Sequence, residues 1–278
     1  MKKLSGQVAV VTGASRGAGR AVALVLGEVG ATVYVTGRSA RGGATTENLP
    51  GTIEETAEGV TARGGIGIPA RCDHTSDEEV EALFARVAGE QGRLDLLVNN
   101  AWGGYEQYDF AGFTAPFWEQ PLRHWQGMFV AGVRAHLVAA RSAAPLMIPR
   151  RRGLIVNTTA WDRDKYLGNL FYDLAKGAVN RMAYGMAREL RRHEVAAVAL
   201  APGFMRTERV MAAHAAQPFD LGATESPEYL GRAVAALAAD PGVMSKSGLT
   251  LAVGDLAHEY GFTDVDGRQV PPFVIPEL

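Results

Sequence analysis

Short runs of apolar, often β-branched residues alternate along the chain with longer amphipathic stretches. The runs predict strands at 8–11, 32–36, 67–71, 94–98, 154–157, 196–200 and 249–253. The amphipathic stretches predict helices over 20–29, 53–63, 76–91, 125–144, 171–191 and 227–239. Ser76 with Glu79 forms a capping-box pattern before the third helix, and Ser226 is placed to cap the last. The alternation predicts one α/β domain: a Rossmann-type, doubly wound, seven-stranded, mainly parallel sheet with helices on both faces.

A glycine-rich turn, Thr12-Gly13-Ala14-Ser15-Arg16-Gly17-Ala18-Gly19, joins the first predicted strand to the first predicted helix. In this geometry backbone N–H groups and a helix N-terminus meet a pyrophosphate. Gly13 would allow the tight turn, Gly17 the approach of the ligand, and Gly19 close packing of the helix on the sheet. The spacing is G-x-x-x-G-x-G rather than G-x-G-x-x-G, but the division of labour is that of a dinucleotide site. The predicted contacts of the turn are Gly13, Ser15, Arg16, Gly17, Ala18 and Gly19.

The end of the second strand, Gly37-Arg38-Ser39, carries the signal for cofactor choice. An NAD-selective site has an acid here, whereas an arginine suits a 2′-phosphate. Arg16 could close on the same phosphate from the other side, with Ser39 beside it. Two arginines and no acid predict NADP(H) in preference to NAD(H), the alternative being that Arg38 is a solvated charge. After the third strand, Asp73 is placed to accept from an adenine amine.

Tyr172 and Lys176 are four residues apart in a predicted helix and therefore lie on one face. An ammonium beside a phenol favours the phenolate and lowers a pKa that is ordinarily about 10. Tyr172 is thus a candidate proton donor and acceptor. The hydroxyl of Thr159 could donate to a substrate carbonyl oxygen as negative charge develops there. By itself the tyrosine–lysine pair is far more typical of an ordinary amphipathic helix face.

An aromatic stretch over 102–125 follows the fourth strand, on the side where such sheets bind ligands. It would either wall an apolar substrate pocket or form a subunit interface. Trp102, Trp161, Phe204 and Met205 are the predicted substrate contacts, which favours a small apolar ketone, aldehyde or secondary alcohol. Residues 205–225 are predicted as a mobile substrate segment, and 255–278 as a C-terminal extension.

The composition of the chain limits the kinds of partner, cellular location and metal site that can be expected. The 278 residues are 47% hydrophobic and 21% charged with a net charge of -2, which argues against a nucleic-acid or anionic-membrane partner. No run approaches the roughly 18 apolar residues of a membrane helix, and no apolar signal region follows the first residues, so a cytoplasmic location is expected. The single Cys72 fits a reducing compartment. The six histidines are scattered, and no metal site is predicted.

Taken together, these motifs resemble the short-chain dehydrogenase/reductase (SDR) superfamily of the classical type. They occur in the family's order as residues 12–19, Asp73, Asn99-Asn100-Ala101, Tyr172 with Lys176, and Pro202-Gly203. The resemblance implies that Tyr172 is the acid/base and that Lys176 lowers its pKa and holds the nicotinamide ribose. It implies that Asn99 and Ala101 line the adenosine side, and that Pro202, Gly203 and Thr207 meet the nicotinamide end. It also implies an NADP(H)-dependent carbonyl reductase or alcohol dehydrogenase that forms a homodimer or homotetramer.

Three positions depart from the family pattern. Thr159 stands where the family has a serine, although alignment on the strand would place Ala160 there. Gly132 stands where the family has an asparagine that holds a proton-relay water, and Trp102 replaces the usual glycine. The altered serine and the missing asparagine keep one alternative open, a nucleotide-binding sensor or partner protein with little turnover. A further alternative is another reaction on a bound nucleotide, such as dehydration or epimerisation, although relatives of that kind usually carry a longer substrate domain.

Overall fold

The computed structural model describes residues 2–106, 113–161 and 165–275, and these form a seven-stranded sheet. The strands are β1 Val8–Val11, β2 Thr32–Gly37, β3 Ile66–Arg71, β4 Leu96–Asn99, β5 Gly153–Thr158, β6 Val195–Ala201 and β7 Thr250–Ala252. Their order is β3-β2-β1-β4-β5-β6-β7, and every neighbouring pair is parallel. The doubly wound sheet predicted from the sequence is confirmed, and all of its pairings are parallel. The order reverses between β1 and β4, which is where such sheets bind their ligands.

Eight α-helices lie in the described ranges. They are α1 Gly17–Glu28, α2 Ile53–Ala62, α3 Asp77–Gln91, α4 Ala135–Met147, α5 Leu170–Leu190, α6 Glu208–Ala216, α7 Pro227–Ala239 and α8 Val253–Tyr260. Helix α6 lies inside residues 205–225, which were predicted as a mobile substrate segment, and α8 lies where only a C-terminal tail was expected. No residue of α6 is buried. A helix that packs no face against the core needs no apolar stripe, so periodicity could not predict this one. None of the helices of the described ranges combines the length and the apolar character needed to cross a bilayer.

The helix predicted over 125–144 has two parts. Gln126–Arg134 is π-helical and runs directly into α4. The N–H of Gly103 donates to the carbonyl of Ala131 in this π-helical segment, at 3.1 Å. The segment therefore binds the loop that follows β4, and π-helical turns of this kind often occur at functional sites.

The core consists of two apolar layers, one on each face of the sheet. Alternate residues of β1 supply both layers: Ala9 and Val11 face α1, α2, α7 and α8, while Val8 and Val10 face α3, α4 and α5. Strands β1, β2, β4, β5 and β6 are buried almost throughout, which explains their continuous apolar runs, whereas the edge strand β3 is largely exposed. Each fully buried valine or leucine contributes roughly 1.5–3 kcal/mol.

Both predicted serine caps differ in detail from the expectation. Ser76 accepts from the Glu79 N–H at 3.2 Å, but the Glu79 carboxylate accepts from the N–H of Asp73, so the reciprocal half of the capping box is absent. Ser226 occupies the N-cap position of α7, yet its hydroxyl donates to the buried carboxylate of Asp264 instead of capping the helix. A buried carboxylate is the stronger acceptor and takes the hydroxyl.

Candidate active site

The glycine-rich turn is pressed against the end of β4. The hydroxyl of Thr12 accepts from the N–H groups of Asn100 and Ala101 at 2.8 and 2.9 Å. Gly13 has φ +64°, and a Cβ there would lie 2.8 Å from the Cα of Ala101. A Cβ on Gly19 would lie 2.3 Å from the Gly13 carbonyl oxygen, so only glycine lets α1 start this close to the turn. These contacts are the ones that a dinucleotide-binding turn requires.

The N-terminus of α1 already carries a negative charge from within the chain. The N–H of Gly17, whose φ is +55°, donates to both carboxylate oxygens of Glu208, at 3.1 and 3.3 Å. Glu208 is the first residue of α6, and Thr207 caps that helix by accepting from the Val210 N–H. A carboxylate therefore lies where the sequence predicts a pyrophosphate. Thr207, predicted to meet the nicotinamide end, is beside it.

Arg16 is held by the connection that follows β2. Its guanidinium donates to the Ser39 hydroxyl at 2.9 Å and to the carbonyl oxygens of Thr46, Leu49, Pro50 and Gly51. Partial burial lowers the pKa of Arg16. Arg38 forms an ion pair with Glu106, a residue of the loop after β4. Both arginines predicted to share one phosphate thus have oxygen partners of their own.

Asp73, which was predicted to accept from an adenine amine, lies just after β3. Its carboxylate accepts from the Thr75 N–H at 2.9 Å and from the Thr75 hydroxyl at 2.7 Å. Partial burial opposes ionisation, but these hydrogen bonds and the charge of Arg38 outweigh it and hold the pKa of Asp73 below its usual value. Asp73 is consequently ionised at neutral pH and is available as an acceptor.

Beneath the turn, buried amides join three elements. The side-chain NH₂ of Asn99 donates to the His136 carbonyl at 3.1 Å and to the Asn157 amide oxygen at 2.9 Å. His136 lies 3.2 Å through Nε2 from the Ala101 carbonyl. Burial lowers the pKa of His136 to about 3, so the ring is neutral and the hydrogen-bond network assigns its proton to Nε2. Asn99 therefore ties β4 to α4 and β5.

Tyr172 and Lys176 lie on the first turns of α5. Asn169 caps this helix by accepting from the Tyr172 N–H at 2.9 Å, and its NH₂ donates to the Phe113 carbonyl. The ammonium of Lys176 lies 5.4 Å from the centre of the Tyr172 ring, as the four-residue spacing predicts. Burial lowers the pKa of Lys176 to about 7. The phenol thus lies next to an amine that titrates near neutral pH.

Two of the departures from the family pattern compensate each other. The indole of Trp102 lies between Gly132 and Lys176, with the ammonium 3.7 Å from the ring centre in a cation–π contact. A Cβ on Gly132 would lie 2.6 Å from a carbon of the same ring. Trp102 therefore needs glycine at position 132, and the indole covers the lysine on the side where an asparagine side chain would otherwise extend. Its edge also contacts Tyr172, at 5.8 Å between ring centres.

Thr159 lies under the same helix. Its hydroxyl donates to the carbonyl oxygens of Lys176 and Ala160, at 3.3 Å each, and its N–H donates to the Leu200 carbonyl. These bonds direct the hydroxyl to the backbone of α5. A rotation of χ1, which is stiff in threonine, is needed before it can donate elsewhere.

Aromatic residues surround the phenol of Tyr172. The hydroxyl of Tyr105 lies 3.3 Å from that of Tyr172, and the rings of Trp102 and Phe113 meet the Tyr172 ring edge-on. Of the other predicted substrate contacts, Phe204 is exposed and tilts against Phe219, Met205 packs on the core, and Trp161 is half-buried after β5. The structure thus brings Trp102 to the phenol and directs Met205 into the core.

Two buried acids at the end of β6 were not identified from the sequence as site residues. Glu225 accepts from the Gly203 N–H, and its carboxylate packs so closely that a Cβ on Gly203 would lie 2.7 Å from it. Burial raises the pKa of Glu225 to about 7. Asp264, in the C-terminal extension, accepts from the Ser226 N–H at 2.8 Å and pairs with Arg206 at 3.2 Å. The extension therefore fixes both ends of the 205–225 segment.

Comparisons with known proteins identify the family of this chain. The family model for short chain dehydrogenases matches residues 7–218. Dehydrogenase/reductase SDR family member 1 of Mus musculus is 39% identical over 282 residues, covering 97% of this chain and 87% of that protein.

Two solved structures are also similar. A short chain dehydrogenase of Mycobacterium thermoresistibile has a TM-score of 0.81 at 28% identity, covering 96% of this chain and 92% of its own. A metagenomic short-chain oxidoreductase solved in complex with NADP has a TM-score of 0.68 at 27% identity, covering 90% of this chain and 97% of its own.

The chain belongs to the short-chain dehydrogenase/reductase family and is an NAD(P)-dependent oxidoreductase of that family. It resembles in particular the branch that contains SDR family member 1, because the similarity to that protein extends over nearly the whole chain, the C-terminal extension included.

Proposed function

We propose that this protein is an NADP(H)-dependent carbonyl reductase or alcohol dehydrogenase that uses Tyr172 as its acid/base. The observation that carries the proposal is the pairing of the Tyr172 phenol with the buried Lys176 amine on α5, among aromatic rings. A phenol next to an amine that titrates near pH 7 can pass a proton to and from a substrate oxygen. The surrounding rings supply apolar surface beside the phenol.

The residues of the turn fit a dinucleotide. A Cβ on Gly13 would collide with the backbone of Ala101, and a Cβ on Gly19 with the carbonyl of Gly13, so the turn keeps this shape only with glycine at both positions. The N–H of Gly17, which donates to Glu208 in this structure, would be the donor to the phosphate. A bound nicotinamide supplies or accepts the hydride at the carbonyl carbon. In this proposal Tyr172 donates or takes the proton at the oxygen, Lys176 holds the nicotinamide ribose, and Thr159 turns from the α5 backbone to polarise the carbonyl.

The preference for NADP(H) rests on the charges at the end of β2. Arg38 lies there with no acid on the strand, and Arg16 is close enough for the charge of Arg38 to act on it. The solved relative with NADP is consistent with such a site. Arg38→Asp should weaken NADPH binding far more than NADH binding, and equal losses would contradict the phosphate contact.

The proposed substrate is a small apolar ketone, aldehyde or secondary alcohol. Trp102, Tyr105 and Phe113 surround the phenol with apolar ring area, and Phe204 is exposed. We further propose a homodimer or homotetramer in the cytoplasm, since α4 and α5 expose Leu137, Leu174 and Tyr184. A light-scattering mass of 29.6 kDa would contradict the oligomer.

The test is a titration with NADPH and NADH followed by tryptophan fluorescence, together with turnover of apolar carbonyls. Tyr172→Phe should abolish turnover and leave NADPH binding nearly unchanged. Tyr184→Phe is the matched control, because its exposed ring lies on the same helix. Unchanged turnover in Tyr172→Phe would refute the catalytic role.

One observation favours a second candidate, a catalytically weak NADP(H)-binding partner or sensor protein. The Thr159 hydroxyl is directed to backbone carbonyls and not to the phenol. If tight NADPH binding comes with no measurable turnover, and Tyr172→Phe leaves every binding property unchanged, this second function is the better one.

A further inference from the structure

Two carboxylates of this chain lie on the groups predicted to hold the phosphates of a dinucleotide. Glu208 accepts from the Gly17 N–H at the start of α1, at 3.1 and 3.3 Å. Glu106 pairs with the Arg38 guanidinium at the end of β2. The first group is predicted to hold the pyrophosphate, and the second the 2′-phosphate. Each acid therefore occupies the position of one particular phosphate.

The two acids come from two different segments, one beside the Tyr172 phenol and one beside the glycine turn. Glu106 belongs to the loop after β4, where its neighbour Tyr105 reaches the Tyr172 hydroxyl. Glu208 begins α6, where its neighbour Arg209 pairs with Glu47 of the connection after β2. Both segments are therefore held by contacts between charged groups or hydroxyls, which are groups that a ligand also offers.

Energetically these contacts are the kind that a phosphate can displace. About a third of the Arg38 and Glu106 side chains is exposed, and Glu208 is an exposed residue, so each contact contributes at most about 1 kcal/mol. A phosphate carries more charge and more acceptor oxygens than a carboxylate, and it forms stronger hydrogen bonds with arginine and with helix N–H groups. A bound phosphate therefore displaces the carboxylate. The observed affinity of the dinucleotide is reduced by the free energy that each carboxylate contact contributes.

We propose that Glu106 and Glu208 determine the affinity and specificity of the dinucleotide site by competing with its phosphates. Glu106 opposes the 2′-phosphate alone and so reduces the preference for NADP(H) over NAD(H). Glu208 opposes the pyrophosphate that both dinucleotides share and so weakens both equally. The proposal rests on the proposed function, because it takes the glycine turn and Arg38 as the dinucleotide site.

The experiment is calorimetric titration of the purified full chain with NADPH and NADH, at low and at physiological salt. Glu106→Gln should tighten NADPH roughly threefold to tenfold and leave NADH within about twofold. Glu208→Gln should tighten both by a similar factor. Glu194→Gln is the matched control, since Glu194 forms an exposed ion pair with Arg151 away from the turn, and it should change neither. All gains should shrink at the higher salt concentration.

Two further measurements connect the effects to the proposed phosphates. The gain from Glu106→Gln should disappear when Arg38→Gln is added. Adenosine 2′,5′-bisphosphate should bind to Glu106→Gln more tightly than to wild type by a similar factor, whereas AMP should bind to both proteins equally well. Unchanged or weaker NADPH binding in Glu106→Gln, or a Glu208→Gln effect confined to one dinucleotide, would overturn this inference while wild-type binding left the proposed function intact. If wild type and all variants bind neither dinucleotide, the proposed function itself fails.

Discussion

The site has a floor and a rim, and they are held together by different forces. The floor consists of Thr12, Asn99, Asn100, His136 and Lys176, whose contacts are buried or partly buried hydrogen bonds and one cation–π contact. The rim consists of Arg38, Glu47, Glu106, Glu208 and Arg209, whose contacts are exposed ion pairs and one helix N-terminus. Buried hydrogen bonds are costly to break because no water replaces the lost partner. Exposed charges exchange partners at little cost. The floor is therefore suited to positioning, and the rim to exchange with a ligand.

The largest effect that follows from this contrast is on the floor. Thr12→Val keeps the shape of the side chain but leaves the N–H groups of Asn100 and Ala101 without their hydroxyl acceptor. We expect a loss of about 2–4 kcal/mol in the free energy of unfolding, because each buried donor without a partner costs about 1–3 kcal/mol. Urea unfolding with an unchanged m-value measures it.

The matched control for this variant is Thr61→Val. Thr61 is an exposed threonine whose hydroxyl accepts from the exposed Gly67 N–H and donates to the Ala57 carbonyl within its own helix. Thr61→Val should lose less than about 1 kcal/mol in the free energy of unfolding, since water can replace the hydroxyl. Equal losses in the two variants would remove the distinction between buried and exposed contacts on which the comparison depends.

Local sequence patterns predicted the sheet, the glycine turn and the Tyr172–Lys176 pair, because each is a matter of spacing within one strand, turn or helix. Sequence reasoning also noted Trp102 and Gly132 as two separate departures. Their complementarity was not predictable, since 30 positions separate them and only the π-helical segment brings them together. Glu208 was missed for a related reason: α6 buries nothing, so no apolar period indicated a helix that carries an acid to the turn.

The second effect concerns the charge within the floor. Burial lowers the pKa of Lys176 from its ordinary value of 10.5 to about 7, so the folded state disfavours the ammonium. Below pH 7 both folded and unfolded chains are protonated and the full penalty applies. As pH rises from 7 to 10.5, the unfolded chain still binds the proton that the folded chain has released, and the penalty fades. Lys176→Met should therefore be more stable than wild type at pH 6, by about 1–3 kcal/mol after loss of the cation–π contact.

The measurement is urea unfolding of both proteins across pH 6 to 10. The advantage of Lys176→Met should decline steadily above pH 7 and be nearly gone near pH 10. A difference that is independent of pH would mean that burial does not shift the lysine. A variant less stable than wild type at every pH would show that the contact with Trp102 outweighs the cost of burying the charge.

The smallest effect is expected at the rim. Glu47→Gln removes the partner of Arg209, whose side chain is more than a third exposed. The expected loss in unfolding free energy is below about 1 kcal/mol, and it should vanish at 1 M salt, where charges are screened beyond about 3 Å. The Arg209–Glu47 pair should affect NADPH binding more than it affects stability, because it holds α6 close to the glycine turn.

Glu47→Gln should therefore leave the unfolding midpoint nearly unchanged while it speeds the association of NADPH in stopped-flow fluorescence. A large loss of stability with unchanged association would mean that the rim is as firmly built as the floor, and that the phosphates meet a closed surface rather than exchangeable charges.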